Sequence, residues 1–440
     1  MRKPLAALAL GLVVVAGALP VPVAGAAPAG SAVPAAAVRA PADLAATIAE
    51  RSRFFGAENV DQRTGALPRD EVHLVWVSVA TFAAAIDGHV VLFDAYIHKG
   101  EEERAYVPAT TQDLISLHPE AILLGHGHYD HGQLTGQIAA ATGATVVGTR
   151  GHCEQASADA GEQLACVVAF EPGASFGAVR TIDVLPGVCT TALLHVHSAA
   201  EPPDPSRDPT NPAVGVPDPS VVLQHPPGPG TTLYAPGDEH GTVLYQLRIG
   251  HFSLTMHDSS GPLKEQAPEV FDVLRSLRPT DVQVGALVSF NNPTNGLRDA
   301  AMYVDALRPD VFVPNHHDFI GGEYGGADEY EGQLATELED YAADPELRFL
   351  YDPVDYVRPG ILRFDVNAPR WVDDEVPCAR AAGASRAGSP AGGSAGGSTA
   401  AAPAVAKVPL AATGTGQLLT GAGLVLLATV VLLRRRARGV

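Results

Sequence analysis

The apolar positions of this chain fall into short runs of two periods, and their order alone predicts an alternating α/β body. Leu44, Ile48 and Phe54–Phe55 lie near helical spacing behind Asp43, which predicts a helix over 43–55 capped by that aspartate. Residues 71–82, centred on Val75-Trp76-Val77-Ser78-Val79, read as one strand. Asp87-Gly88 marks a hairpin turn, and 89–94 returns as the partner strand. Helices are expected over 110–117 and 134–142, with strands over 121–124 and 145–148. A second hairpin is expected from 243–249 and 252–256, turning at Gly250. The alternation closes with a helix over 269–277, a strand over 282–288, a helix over 297–307 and a final strand over 311–313.

The flanks do not share this pattern. Met1-Arg2-Lys3 followed by an apolar stretch and Ala24-Gly25-Ala26 reads as a signal peptide, residues 1–26. Residues 27–40 form an Ala/Pro linker, and the folded domain is expected over 41–378. Within it, 199–230 is a Pro-rich insertion, read equally as a lid or a passive loop. Residues 379–409 are an Ala/Gly/Ser/Pro linker. In 410–440, Leu410-Ala411-Ala412-Thr413-Gly414 precedes an apolar segment at 416–433 and the basic tail Arg434-Arg435-Arg436-Ala437-Arg438. An apolar run with basic residues behind it predicts a membrane segment with its tail inside.

One stretch carries most of the chemistry. The apolar run Ala121-Ile122-Leu123-Leu124 leads into His126-Gly127-His128-Tyr129-Asp130-His131. A strand ending this way delivers several imidazoles and one carboxylate to a single region, and these are ligands that zinc and similar ions prefer. Gathering them away from water is costly without a charged partner. Scattered surface histidines are the bland alternative, but the spacing and the strand context favour a metal site.

This His-x-His-x-Asp-His run resembles the signature of the metallo-β-lactamase fold hydrolases. The resemblance spans roughly residues 70–320 and implies a four-layer αββα sandwich holding two metal ions. It also implies further ligands at strand ends. For the first metal it needs a histidine beside His126 and His128, and His197 is assigned with His195 as alternative. A bridging carboxylate is assigned to Asp258, with Asp238 as runner-up. For the second metal, His316 joins Asp130 and His131, with His317 as alternative and Asp318 a candidate to orient one of them through a ring nitrogen. Asp94 is expected as a supporting or structural carboxylate rather than a ligand. His257, where the pattern often has Gly, is either a polar group near the site or an ordinary histidine. The Pro314-Asn315-His316 form resembles branches that include the ascorbate-6-phosphate lactonase-like and N-acylphosphatidylethanolamine phospholipase-like hydrolases. At the other end, the Leu-Ala-x-Thr-Gly pentapeptide, apolar segment and basic tail resemble a sortase sorting signal, implying cleavage between Thr413 and Gly414. Sorting to cell-wall peptidoglycan is preferred over a permanent span; both place the body outside the membrane.

Charge narrows the partners. Of 29 Lys and Arg, six lie in the two terminal signals (Arg2, Lys3, Arg434, Arg435, Arg436, Arg438), leaving 23 against 49 Asp and Glu, a net of −26. Such a surface repels nucleic acid and anionic lipid. Arg180, Arg248, Arg275, Arg278 and Arg298 are scattered and form no phosphate-binding cluster. The four cysteines allow three pairings. Cys153–Cys166 is expected because it closes a short loop, and Cys189–Cys378 would then pin the domain's C-terminal end to its core.

The function expected is a secreted, cell-surface hydrolase. It would use a metal-bridged hydroxide on an ester, lactone or phosphodiester bond, with Asp130 and Asp258 as the catalytic carboxylates and a small molecule as substrate. Zinc is expected, with manganese or iron as alternatives. The competing expectation is a wall-anchored binding or scaffold module with little catalysis.

Overall fold

A computed structural model describes residues 43–97, 108–199, 241–318 and 326–371. In chain order the main elements are α1 (Leu44–Phe55), β1 (Glu71–Ser78), β2 (Thr81–Ile86), β3 (His89–Phe93), α2 (Thr111–Ser116), β4 (Ala121–Leu123), α3 (Tyr129–Gly132), α4 (Thr135–Thr142), β5 (Thr145–Thr149), α5 (Arg150–Ala160), β6 (Cys166–Phe170), β7 (Val179–Ile182) and β8 (Cys189–His195). They continue as β9 (Thr242–Ile249), β10 (Phe252–His257), α6 (Leu263–Gln266), α7 (Pro268–Ser276), β11 (Val282–Ala286), α8 (Asn292–Asn295), α9 (Arg298–Leu307), β12 (Val311–Asn315), α10 (Ala327–Leu338), β13 (Glu346–Leu347) and β14 (Leu362–Asp365).

The strands form two mixed seven-stranded sheets, ordered β14-β1-β2-β3-β4-β5-β6 and β13-β12-β11-β10-β9-β8-β7. Their facing sides share one core, including Leu74, Trp76, Phe82 and Phe93 from the first sheet and Tyr245, Met256, Val284 and Val313 from the second. The outer face of the first sheet packs with Phe54 and Phe55 of α1, Leu114 of α2 and Ile138 of α4. The outer face of the second packs against Val270 and Leu274 of α7 and Tyr303 of α9. This is the four-layer αββα sandwich that the resemblance implied. Strands buried on both faces explain why the runs read as continuously apolar rather than alternating.

Local chemistry sets the boundaries. Asp43 caps α1 by accepting from the amides of Ala45 and Ala46. Thr110 and Asp113 form a reciprocal capping box on α2. At the β2–β3 turn Asp87 and Gly88 both take positive φ, the mirror-image turn that matches strand twist.

The structure corrects two strand readings. The single strand expected over 71–82 is broken at Val79-Ala80, so β1 and β2 are antiparallel neighbours. No Gly, Asn, Asp or Pro stands at this reversal, so nothing in the pattern announced it. The strand at 311 is also not the last: β13 pairs with β12, and β14 returns to pair with β1.

Cys153 and Cys166 form the expected disulfide, 13 residues apart, tying α5 to β6. Cys189 is also disulfide-bonded, and its expected partner Cys378 lies outside the described residues. Replacing both Cys153 and Cys166 by Ala should cost about 3 kcal/mol, the loop-closure value for a loop of this size. Urea unfolding measures it, and an unchanged midpoint would show that the bridge adds nothing. The expected signal peptide, both linkers, residues 200–230 of the Pro-rich insertion and the sorting signal lie outside the described residues. Among those described, no helix is long and apolar enough to cross a membrane.

Candidate metal centre

In the parallel part of each sheet the strands run the same way, so their C-terminal ends meet at one rim, where α/β folds place ligands. β3 leads into Asp94, β4 into the histidine run, β8 into His197, β10 into Asp258 and β12 into His316. The cleft there is lined by all seven expected ligands together with Tyr129, Ser198, Ser259, Ser289 and Phe290.

The seven residues fall into three overlapping groups, each with its ligand atoms within 4.8 Å of one another: His126, His128 and His197; His126, His131 and Asp258; Asp130, His131 and His316. His126 Nε2 and His128 Nδ1 are 3.1 Å apart. Asp258 Oδ2 lies 2.8 Å from His126 Nδ1 and 3.4 Å from His131 Nδ1, which puts this carboxylate between the two triads. Asp130 Oδ2 is 3.6 Å from both His131 Nε2 and His316 Nε2.

Supporting bonds set the free nitrogens. His131 Nδ1 donates to Asp94 Oδ2 at 2.8 Å, so its lone pair is on Nε2. His197 Nδ1 donates to the Ser198 carbonyl at 2.7 Å, leaving Nε2 toward the cleft. Asp94 Oδ1 also accepts from the Gly125 amide, locking the loop that carries the run. Gly125 is needed for space: a Cβ there would stand 2.2 Å from the Asp258 carboxyl.

The arrangement fits divalent cations. His131 Nε2 and Asp258 Oδ1 are buried without a hydrogen-bond partner among the described residues. The rings of His126 and His131 sit 3.9 Å apart, and those of His126 and His197 4.5 Å apart. Burial pushes His197 down to about 3 and His131 down to about 4, the latter against the pull of Asp130 and Asp258. Neutral imidazoles at pH 7 offer the lone pairs a metal takes. Burial opposes ionisation of Asp130, but His131 and His316 outweigh it and hold the carboxyl well below the usual range. Burial and then the charge of Asp258 push Asp94 well above it. Such carboxyl and imidazole crowding is relieved by positive charge at the centre of the cluster.

The alternatives separate by geometry. His195 lies on the outer side of its sheet, its Nδ1 2.8 Å from the Tyr303 hydroxyl, and is not in the cluster. His317 is fully buried between Trp76 and Phe349. His257 is a core histidine: Nδ1 donates to the Ser259 carbonyl, Nε2 accepts from Gln283, and the ring stacks on Tyr303 at 4.8 Å. Asp238 lies outside the described residues. Asp318 does not orient a histidine ring as expected. Its Oδ2 accepts from the Val79 amide and the Tyr356 hydroxyl instead, because the β1–β2 turn brings an amide into reach.

The sequence missed the cleft wall after β11. Asn292 braces it through the Ser289 amide and the Gly296 carbonyl. Asp299 accepts from Asn291 and Asn295. Arg298, read as unplaced, pairs with both Asp299 and Glu265. Ser198 and Ser259 each follow an assigned ligand by one residue, a signal that was available. Phe290 had none.

The buried neutral histidines away from the cluster predict an acid-labile fold. Burial lowers His195 to about 3, and His257 and His317 to about 4, from an ordinary 6.5. Between pH 6.5 and 4 the unfolded chain therefore binds more protons, and stability falls with pH through this window. Three such groups give a slope of about 4 kcal/mol per pH unit near pH 5. Urea midpoints of metal-free protein at pH 5, 6 and 7 check this; a flat profile would mean these rings are not held neutral.

No family model matches the chain. A UPF0173 metal-dependent hydrolase of Pyrobaculum aerophilum is 35% identical over 78 residues, 18% of this chain and 32% of that protein. The chain thus spans about a third of that relative's length. A UPF0173 metal-dependent hydrolase of Pyrobaculum arsenaticum is 27% identical over 243 residues, 55% of this chain and 83% of that protein. Among solved structures, Igni18, a metallo hydrolase from Ignicoccus hospitalis, aligns with a TM-score of 0.42 and 15% identity over 64% of this chain and 95% of its own.

Proposed function

We propose that the protein is a metal-dependent hydrolase that binds two divalent ions and cleaves an ester, lactone or phosphodiester bond. The observation that carries this is the overlap of the three ligand groups: His126 and His131, one from each triad, form the third group with Asp258. The relatives named metal-dependent hydrolases support the same class.

His126, His128 and His197 would hold one ion, and Asp130, His131 and His316 the other, with Asp258 between them. Bound there, such a pair lowers the pKa of a coordinated water toward neutrality and polarises a carbonyl or phosphoryl oxygen. Nitrogen and carboxylate donors suit zinc first, then manganese or iron. Asp130, ionised and facing the cleft, is placed to take a proton from the attacking water. Asp94 holds His131 in the right tautomer. Ser198, Ser259 and Ser289 supply hydroxyls to the substrate, and Phe290 and Tyr129 form an apolar wall.

The place of action is part of the proposal. The charged start, apolar core and small-residue site at 1–26 support export. The pentapeptide and tail at 410–440 support attachment to peptidoglycan by a sortase, with membrane contact only through that segment beforehand. The acidic surface disfavours nucleic acid as a partner.

The test is elemental analysis of purified protein together with a substrate panel: a lactone, a p-nitrophenyl ester, bis-p-nitrophenyl phosphate and a β-lactam. Two ions and turnover in one class support the hydrolase. No uptake of zinc or manganese would sink it and favour the binding module.

A further inference from the structure

Val79 and His316 are both held at positive φ, +49° and +56°. Neither is glycine, and for β-branched Val79 this conformation is strained. The two are bonded to each other: the His316 amide donates to the Val79 carbonyl at 3.1 Å. That carbonyl also accepts from Trp76 Nε1 at 2.9 Å. On the other side of the same residue, the Val79 amide donates to Asp318 Oδ2 at 2.7 Å, and the Tyr356 hydroxyl donates to the same oxygen at 2.6 Å. Val79 and Asp318 have no solvent exposure.

This turn belongs to one sheet and His316 to the other. The second ion's ligands are divided the same way: Asp130 and His131 follow β4, whereas His316 follows β12. Whatever fixes the β1–β2 turn against the end of β12 therefore fixes the third ligand against the other two.

We infer that Asp318 is a positioning residue for the second metal site: its carboxylate holds Val79 in the strained turn, and the Val79 carbonyl holds the His316 backbone in the conformation that delivers its ring. The inference rests on the two-ion reading above. It requires an oxygen acceptor at 318, not a charge. Oδ2 makes both bonds, while Oδ1 has no hydrogen-bond partner among the described residues, so an asparagine could put its nitrogen where Oδ1 stands. The inference also requires strain at 79, so glycine there should make the acceptor dispensable.

The experiment is zinc titration of full-length, metal-stripped protein, read as stoichiometry and affinity, for wild type, Asp318→Asn, Asp318→Ala, Val79→Gly and the Val79→Gly/Asp318→Ala double variant. Wild type, Asp318→Asn and Val79→Gly are expected to take two ions. Asp318→Ala should keep the first ion at unchanged affinity and bind the second about 10- to 100-fold more weakly, the usual effect of losing an outer-sphere support. The double variant should recover the second ion. A general loss of structure would weaken both sites together, and that result overturns the inference. So does an Asp318→Asn variant as impaired as Asp318→Ala, which would make charge the operative property. A double variant that fails to recover overturns it as well, and so does an Asp318→Ala variant that binds two ions as tightly as wild type. A wild type that binds fewer than two ions overturns the two-ion reading itself and the inference with it; should Asp318→Ala alone not fold, the Val79→Gly/Asp318→Ala variant decides, because the inference requires it to fold and take two ions and its failure to do so overturns the inference.

Discussion

Asp258→Ala should lower turnover at least about 10³-fold while leaving the far-ultraviolet circular dichroism of the protein unchanged. The size follows from its place. Asp258 stands against one histidine of each triad, with one carboxylate oxygen 2.8 Å from His126 Nδ1 and 3.4 Å from His131 Nδ1, and the other without a partner among the described residues. Losing about 4 kcal/mol of metal-derived transition-state stabilisation corresponds to about three decades in rate. Alanine should fold, because the substitution removes a buried carboxylate crowded against Asp94 and the Gly125 backbone. Bound metal should fall below two per chain. Full activity in this variant would remove Asp258 from the centre and with it the assignment of a shared carboxylate.

Stripping the metal should destabilise the fold by an amount readable in any thermal melt. Ions that bind only the folded state stabilise it by mass action, about 4 kcal/mol per site at a thousandfold excess over Kd. Two sites then contribute about 8 kcal/mol, or roughly 10–15 °C in Tm for a domain of this size. The structure explains the sensitivity. Without a cation, five imidazoles and two carboxylates are gathered at one rim, and the rings of His126 and His131 sit 3.9 Å apart. Scanning calorimetry with and without chelator measures the shift, and re-addition of zinc should reverse it. Equal melts would mean the cluster holds itself together and needs no ion.

Much of the fold was legible because its signals are local. Asp43 announces a helix start through its own side-chain bonds to nearby amides, and Asp87-Gly88 announces a hairpin through backbone freedom. The histidine run announces itself by donor type and spacing. The break at Val79-Ala80 was not legible, because it is held by partners far along the chain, Asp318 and His316, beside the local bond from Trp76. β14 and α10 were missed for a related reason. Their burial is created by β1 and by the helices and strands they pack on, and their own apolar patterns are short.

The same division runs through the metal centre. The sequence by itself determined the donor set, since the chemistry of imidazole and carboxylate belongs to the side chain wherever it sits. It also determined the strand ends that carry those donors, through apolar runs that stop at them. Only the tertiary structure decided between neighbours two or one apart. His195 and His197 were both offered by one segment, yet only His197, beyond the end of β8, reaches the cleft, while His195 lies under α9. His316 and His317 are adjacent, yet a left-handed backbone at His316 turns one ring to Asp130 and leaves the other between Trp76 and Phe349. Side-chain direction at such points is set by backbone dihedrals that distant contacts impose, and no local pattern encodes them.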